Sequence, residues 1–290
     1  MRFFILTLFL LFSSLSWSNE ISVGGVNLTI PQPEGYSPVT SEMEALYEWQ
    51  KLFILPMNKE FTAFIPDDQV GIALKNEIPH FLRHFSVQTS KKLINVTVTN
   101  SAFAAFKKAI KSENIKPNKK FETQLSESMK TINEKTKEQY GVDPAFSVSQ
   151  IILMPVHEET DRTISYSTLV KYNMKDKKGN PLPYFGIVTT TCVHVKGKVL
   201  FLCAYSEKSD LEWSRQASRK WVNSVINANP SDILTGIKET VPFRISITKW
   251  TQRIFKGALK GALKGAFVAL LITLFYLVIV FLGWVKRRKR

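Results

Sequence analysis

Between Ser147 and Ser206 the apolar positions fall into four β-rich runs, near Val148 to Val156, Thr163 to Tyr172, Tyr184 to Val195 and Lys198 to Tyr205. Turn-forming residues separate them at Glu158 to Arg162, Asp176 to Pro183 and Gly197. Connections this short join antiparallel neighbours, so the pattern predicts a meander. The spacing then changes. Behind Ser209-Asp210-Leu211-Glu212, a Ser-x-x-Glu capping box, Trp213, Ala217, Trp221 and Val225 lie one helical turn apart. That stretch predicts a helix to about Asn227, closed by Pro230 and laid across the sheet. A helix on an antiparallel sheet makes an α+β domain.

The preceding half reads less regularly. Ile21 to Ile30 alternates around Gly24-Gly25, which predicts a small hairpin ended by Pro31, Pro33 and Gly35. Ser41 to Glu44 has the form of another capping box, with Met43, Leu46, Tyr47 and Leu52 on one helical face. Glu60 to Ile65 reads as a strand, and Asp67 and Asp68 as a cap or turn. Leu93 to Thr99 alternates as a half-buried strand would, and Asn100 or Ser101 could cap a helix bearing Ala102, Phe103, Phe106, Ala109 and Ile110. Lys119 to Tyr140 predicts a longer polar helix with a narrow stripe of Phe121, Leu125, Met129 and Ile132, stopped by Gly141. Core packing is the expected use of that stripe.

Hydropathy at the two ends changes the picture from a domain to a membrane protein. Residues 1–18 carry Arg2, an apolar run from Phe3 to Phe12, and small residues at Ser16 and Ser18, the order of a secretory signal cleaved before Asn19. An uncleaved N-terminal anchor is the alternative, and either one exports the domain behind it. Residues 265–285 are uncharged. At about 1.5 Å per residue they span about 31 Å, a hydrocarbon core's thickness, and predict a transmembrane helix. Lys286, Arg287, Arg288, Lys289 and Arg290 come immediately after, which favours a cytoplasmic tail of residues 286–290. The expected organisation is a signal (1–18), a periplasmic domain (19–230), a linker with a basic amphipathic juxtamembrane helix (231–264), and the span.

Charge is distributed along the same divisions. Of 39 Lys and Arg, Arg2 is in the signal and ten lie from Lys249 onward, leaving 28 against all 24 acids. The exported part is therefore only about +4 of the formal +15. Cations beside lipid need no polyanion, so no nucleic-acid partner is expected. At 100° per residue, Lys249, Arg253, Lys256, Lys260 and Lys264 fall within about 80° on one stripe, beside a groove of Gly257, Gly261 and Gly265. The stripe suits anionic head groups, at about 1 kcal/mol per cation. The Gly-x-x-x-Gly spacing suits close approach of a second copy. A plain basic stop before the span accounts for both as well.

Two pairs are candidates for chemistry. Cys192 and Cys203 flank the turn at Gly197. With Lys196-Gly197 or Gly197-Lys198 as central residues they share a sheet face, directly opposite or one diagonal step apart. Directly opposed positions lie within disulfide reach and export supplies an oxidising compartment, so a bridge and two buried free thiols are both open. His80 and His84 stand at i and i+4, a spacing that on a helix begun by Pro79 could chelate zinc, with His157, Glu158, Glu159 or His194 as further ligands. Phe81 stands where a zincin would place its general-base Glu, so surface or partly buried histidines are the plainer reading. No Gly-x-Ser-x-Gly and no Gly-rich phosphate loop occurs, and no cofactor is expected.

The order of an early Pro-rich turn (PQPEGY), a long meander ending in VKGKVLFLCAYS, and a Trp-bearing helix resembles the Mog1/PsbP-like α/β/α layout of bacterial envelope proteins, across residues 20–228. The resemblance implies a fold and carries no catalytic signature. The expected function is that of a non-catalytic binding or interaction protein at a bacterial inner membrane, its partners membrane lipid, an envelope protein and a second copy through the C-terminal helix. The rival expectations are a metal-dependent hydrolase using His80 and His84, and a membrane-perturbing or toxin-immunity protein.

Overall fold

The computed structural model describes residues 18–51, 54, 57–112, 119–140, 145, 147–175 and 181–230. The basic stripe, the glycine groove, the span and the tail, from Lys249 to Arg290, lie outside the described residues, as do residues 1–17. No described helix is long and apolar enough to cross a membrane.

Strands β1 (Ser18–Val23) and β2 (Val26–Pro31) form the hairpin expected from the sequence. Its turn needs two glycines, because Gly24 and Gly25 both have positive φ, 55° and 80°. A Cβ at Gly24 would also meet the carbonyl oxygen of Ile94. After β3 (Tyr36–Pro38), helix α1 (Glu44–Lys51) begins later than its capping box implies. The Asn76 side chain, 31 residues on, instead accepts from the Ala45 N–H at 3.1 Å. Strand β4 (Asn58–Pro66) leads directly into α2 (Asp67–Ala73), whose Asp67 accepts from Ser37 Oγ at 2.7 Å.

Residues 80–83 are irregular and strand β5 (His84–Ser90) begins at the second histidine, so the helix that Pro79 could have begun does not form. Leu93 to Thr99 is not a strand either. Its alternation is satisfied by a loop in which Lys198 Nζ donates to the Ile94 carbonyl, at 3.0 Å, and the Val98 N–H donates to the Gly197 carbonyl, at 2.8 Å. Thr99 caps α3 (Asn100–Ser112) in place of Asn100 or Ser101, its hydroxyl accepting from the Ala102 N–H at 3.2 Å. Helix α4 (Lys119–Tyr140) matches its predicted bounds, and its Met129 and Ile132 enter the core.

The meander consists of β6 (Ser147–Leu153), the short β7 (Glu158–Glu159) where a turn was expected, β8 (Thr163–Lys175), β9 (Pro181–Val195) and β10 (Lys198–Glu207). The sheet order is β3-β4-β5-β10-β9-β8-β6, with β7 beside β8 and every pair antiparallel. The fold is α+β, an antiparallel sheet packed by helices. Helix α5 (Leu211–Ala228) comes after a short turn at Lys208–Asp210. Its Ser209–Glu212 capping box does not form: Asp210 takes the N-cap position instead, and its carboxylate accepts from Arg83 Nε at 2.9 Å and makes no cap bond.

Along β10 the continuous run from Val199 to Tyr205 is buried on both sides. Val199, Phe201, Cys203 and Tyr205 pack with α1, α3 and α4, while Leu200, Leu202 and Ala204 pack with α5 and the β1–β2 hairpin. Both faces of the sheet are therefore covered. On the α5 side two hydroxyl chains tie the layers together. Ser165–Thr191–Ser218 has oxygen separations of 2.7 and 3.0 Å, and Ser167–Thr189–Ser214 has 3.0 and 2.7 Å. Thr189 and Thr191 are the middle members of the two chains. Their hydroxyls let Ser214 and Ser218 sit buried against the sheet without losing hydrogen bonds.

Candidate functional site

Where the first face of the sheet reaches its β4 side, α1 and β4 leave a cleft of about 370 Å³ between them. Gln50 and Lys51 from the end of α1, Tyr47 one turn earlier, and Asn58, Lys59, Glu60, Phe61, Thr62 and Ala63 from β4 line it, with Lys91 at the rim. A binding cleft of this size is ordinary for a small ligand or a few residues of a partner. Its chemistry is less ordinary. Gln50 Nε2, Asn58 Oδ1 and Glu60 Oε1 are all buried and have no hydrogen-bond partner among the described residues. Gln50 and Asn58 are 3% and 1% exposed, so water does not satisfy them freely. A buried polar atom left unpaired costs about 1–3 kcal/mol, and three beside one cleft call for a partner that arrives from outside.

The far side of these groups is tightly engaged. Asn58 Nδ2 donates to Gln88 Oε1 at 3.2 Å, Gln88 Nε2 donates to Ser86 Oγ at 3.1 Å, and Ser86 Oγ bonds Tyr205 OH at 3.1 Å. The chain engages the Asn58 amide nitrogen and leaves its oxygen without a partner. Glu60 is partly exposed along its stem, but burial of the carboxyl pushes its pKa up to about 8, against a smaller lowering by the Ser86 hydroxyl. At neutral pH the group is therefore mostly protonated and can donate as well as accept. Around the rim Lys51 lies 4.1 Å from the Tyr47 ring centre and pairs with Glu48, while Lys59 lies 4.9 Å from the ring centre of Phe61.

The sequence-predicted pairs behave differently. His80 is exposed in an irregular stretch and His84 is buried at the start of β5, so they do not share a helix face. The His84 ring stacks on Tyr205 with centroids 4.2 Å apart at 14°, and burial drives its pKa down to about 3. Of the other ligands considered, His194 gives Nε2 to the Val98 carbonyl at 2.7 Å, and Glu159 pairs with Lys107 and Lys111. No metal-binding group of three or more His, Cys, Asp or Glu forms among the described residues.

Cys192 and Cys203 are free and buried. The turn has Lys196-Gly197 at its centre, which places Cys192 opposite Phe201 and Cys203 opposite Thr190. The thiols share a face one diagonal step apart, where Cα atoms are typically about 7–8 Å apart, beyond ordinary disulfide reach. Burial raises both thiol pKa values, that of Cys203 to about 11.

Solved structures of Mog1 are among the chains this one is similar to. With the Saccharomyces cerevisiae Ran-binding protein Mog1p it shares 11% identity over 74% of this chain and 93% of that one, at a TM-score of 0.24. A point mutant of Mog1 gives 12% identity, coverages of 73% and 93%, and a TM-score of 0.25. A Pseudomonas aeruginosa protein of unknown function gives 12%, 70% and 92%, and 0.17. Likenesses at this level assign no role to any residue. No family model and no curated protein sequence matches the chain.

The sequence missed Gln50, Asn58 and Glu60 because a lone amide or carboxyl carries no motif. The available signal was in β5. Phe85 and Val87 alternate with Ser86 and Gln88, which marks a strand with one polar face, and that polar face is the floor behind the cleft.

Proposed function

We propose that this chain is a membrane-anchored interaction protein of the bacterial envelope that binds rather than catalyses, and that the α1–β4 cleft is its docking site. The observation that carries the reading is the convergence of Gln50 Nε2, Asn58 Oδ1 and Glu60 Oε1 without partners on one cleft. Two of the three atoms belong to amides, which recognise a ligand without exchanging protons with it. Placement rests on the sequence. Residues 1–18 export the chain, residues 265–285 hold it in the inner membrane, and cleavage before Asn19 removes only the first residue of β1. The basic stripe from Lys249 to Lys264 lies against lipid head groups, and the glycine groove is available to a second copy.

A photo-reactive amino acid placed at Tyr47 in the full-length protein in cells tests the docking site. Adducts with an envelope protein at Tyr47, absent when the same probe replaces Ile152 at the opposite edge of the sheet, are the expected result. Equal labelling from both positions, or none from Tyr47, removes the cleft from consideration. Accessibility of a tag after Arg290 tests the topology. A tag reached from outside the cell would reverse it.

A further inference from the structure

The cleft lies along an unfinished edge of the sheet. Strand β3 pairs only with the last part of β4, Tyr36 with Pro66, Ser37 with Ile65 and Pro38 with Phe64, and the pairing ends with Val39 N–H donating to the Ala63 carbonyl at 2.8 Å. From Asn58 to Thr62 no strand lies on the outer side of β4 among the described residues. At about 3.3 Å per residue that is about 16 Å of open edge, and it borders the same cleft. We propose that the open half of β4 accepts an extended, acidic segment of a partner protein as an added strand seated in the α1–β4 cleft. This rests on the reading of the cleft as a docking site.

Three observations select that occupant. A peptide backbone presents N–H and C=O groups in alternation, and the cleft lacks partners for both a donor, Gln50 Nε2, and acceptors, Asn58 Oδ1 and Glu60 Oε1. A sugar could serve those side chains but would leave the β4 main chain unpaired. The rim is cationic: Lys51, Lys59 and Lys91 are exposed, and Lys59 and Lys91 have no carboxylate partner among the described residues. The Glu60 carboxyl, protonated near neutral pH, does not oppose an acidic segment.

Lys59 and the bulge between Glu60 and Thr62 are also devices that keep a sheet edge from pairing with another long, flat edge. They limit the added strand to a short one. They do not account for Gln50 Nε2 and Asn58 Oδ1, which belong to residues lining the cleft and are buried without partners.

The test uses the full chain in lipid nanodiscs and a labelled eight-residue peptide of alternating Glu and Val, read by fluorescence anisotropy. The expected result has three parts. The Glu–Val peptide binds at least tenfold tighter than its Lys–Val counterpart. A version N-methylated on alternate amides, which cannot pair as a strand, loses at least tenfold. The variant carrying Lys59→Glu and Lys91→Glu, both exposed, reverses the preference between the acidic and basic peptides. Equal binding of the N-methylated peptide would overturn the added strand while leaving the cleft as a docking site. No binding of any peptide at millimolar concentration, with Tyr47 still cross-linking in cells, would overturn the peptide class alone. No binding and no cross-linking at Tyr47 would overturn the docking reading itself.

Discussion

Replacing Glu60 by Gln should stabilise the protein at neutral pH, and do so by only about 1 kcal/mol or less at pH 5. The carboxyl has an ordinary pKa of 4.5 and is pushed up to about 8 in the fold by burial. A carboxyl that holds its proton more tightly when folded makes the folded state bind more protons than the unfolded state between those two values. Stability therefore falls as pH rises across that window, by up to about 1.4 kcal/mol per pH unit. At pH 7 the full cost would be about 3 kcal/mol, and about half of that if water reaches the partly exposed stem. Below pH 4.5 the cost vanishes, and above about 8 it stops growing. Gln is close in shape and cannot ionise, so it removes the slope while retaining the unpaired amide or carbonyl as a constant offset. Pulse proteolysis in urea, on the full chain and on Glu60→Gln at each unit from pH 5 to pH 9, measures the difference directly. Every other titrating group cancels between the two proteins. A difference that stays flat from pH 5 to pH 8, or that shrinks as pH rises, refutes the burial argument for Glu60.

His84 carries the opposite dependence: its pKa is lowered to about 3 by burial alone, so stability present at pH 7 is lost as pH falls below about 6.5. His84→Phe should keep the stack on Tyr205 and flatten that acid limb of the same stability profile. Gly24→Ala should lower stability by about 2 kcal/mol or more, since it combines a positive φ of 55° with a Cβ directed at the Ile94 carbonyl, and the loss appears as a lower urea midpoint. Cys192 and Cys203 should resist iodoacetamide at pH 8 in the folded protein and react together on unfolding, because both are buried and their pKa values are raised. Intact-mass measurement counts the added groups; rapid labelling of either thiol in the native state contradicts the burial. Asn229→Leu should cost about 2–4 kcal/mol, since its side chain accepts from Thr29 N–H at 2.9 Å and donates to the Thr29 and Val225 carbonyls at 2.6 and 2.8 Å. Hydrogen exchange should rise in β2 first.

Legibility in the sequence tracked the range of the interaction. Helix α4 and the β8–β9–β10 meander were legible because their signals, a three-and-four stripe and apolar runs closed by turn residues, act within a few residues. The Gly24-Gly25 turn was legible for the same reason. Helix starts were not. The boxes at Ser41 and Ser209 offered local caps, but Asn76 reached α1 from 31 residues away, and α5 starts behind Asp210, whose carboxylate is held by Arg83. The His80 to His84 spacing suggested one helix face, yet Phe85 and Val87 belong to the apolar layer shared with Leu202 and Trp221, so a strand begins at His84 and leaves His80 in the irregular stretch before it. Alternation at Leu93 to Thr99 became a loop, its backbone groups taken by the distant Lys198 side chain and the Gly197 carbonyl.

The sequence by itself determined the α+β class, the run of strands and helices from Lys119 onward, and the expectation of an exported domain on a C-terminal anchor, since each of these depends on residues adjacent in the chain. Only the tertiary structure decided what the polar residues do. Gln50, Asn58 and Glu60 are ordinary polar residues in the sequence. They gain their character when α1 closes over β4, Gln88 and Ser86 hold the other side of the amide, and β3 ends before covering the edge. Desolvation is a property of all the atoms around a group. For Glu60 those atoms come from β4, β5 and the cleft between α1 and the sheet, so no local pattern could have announced it.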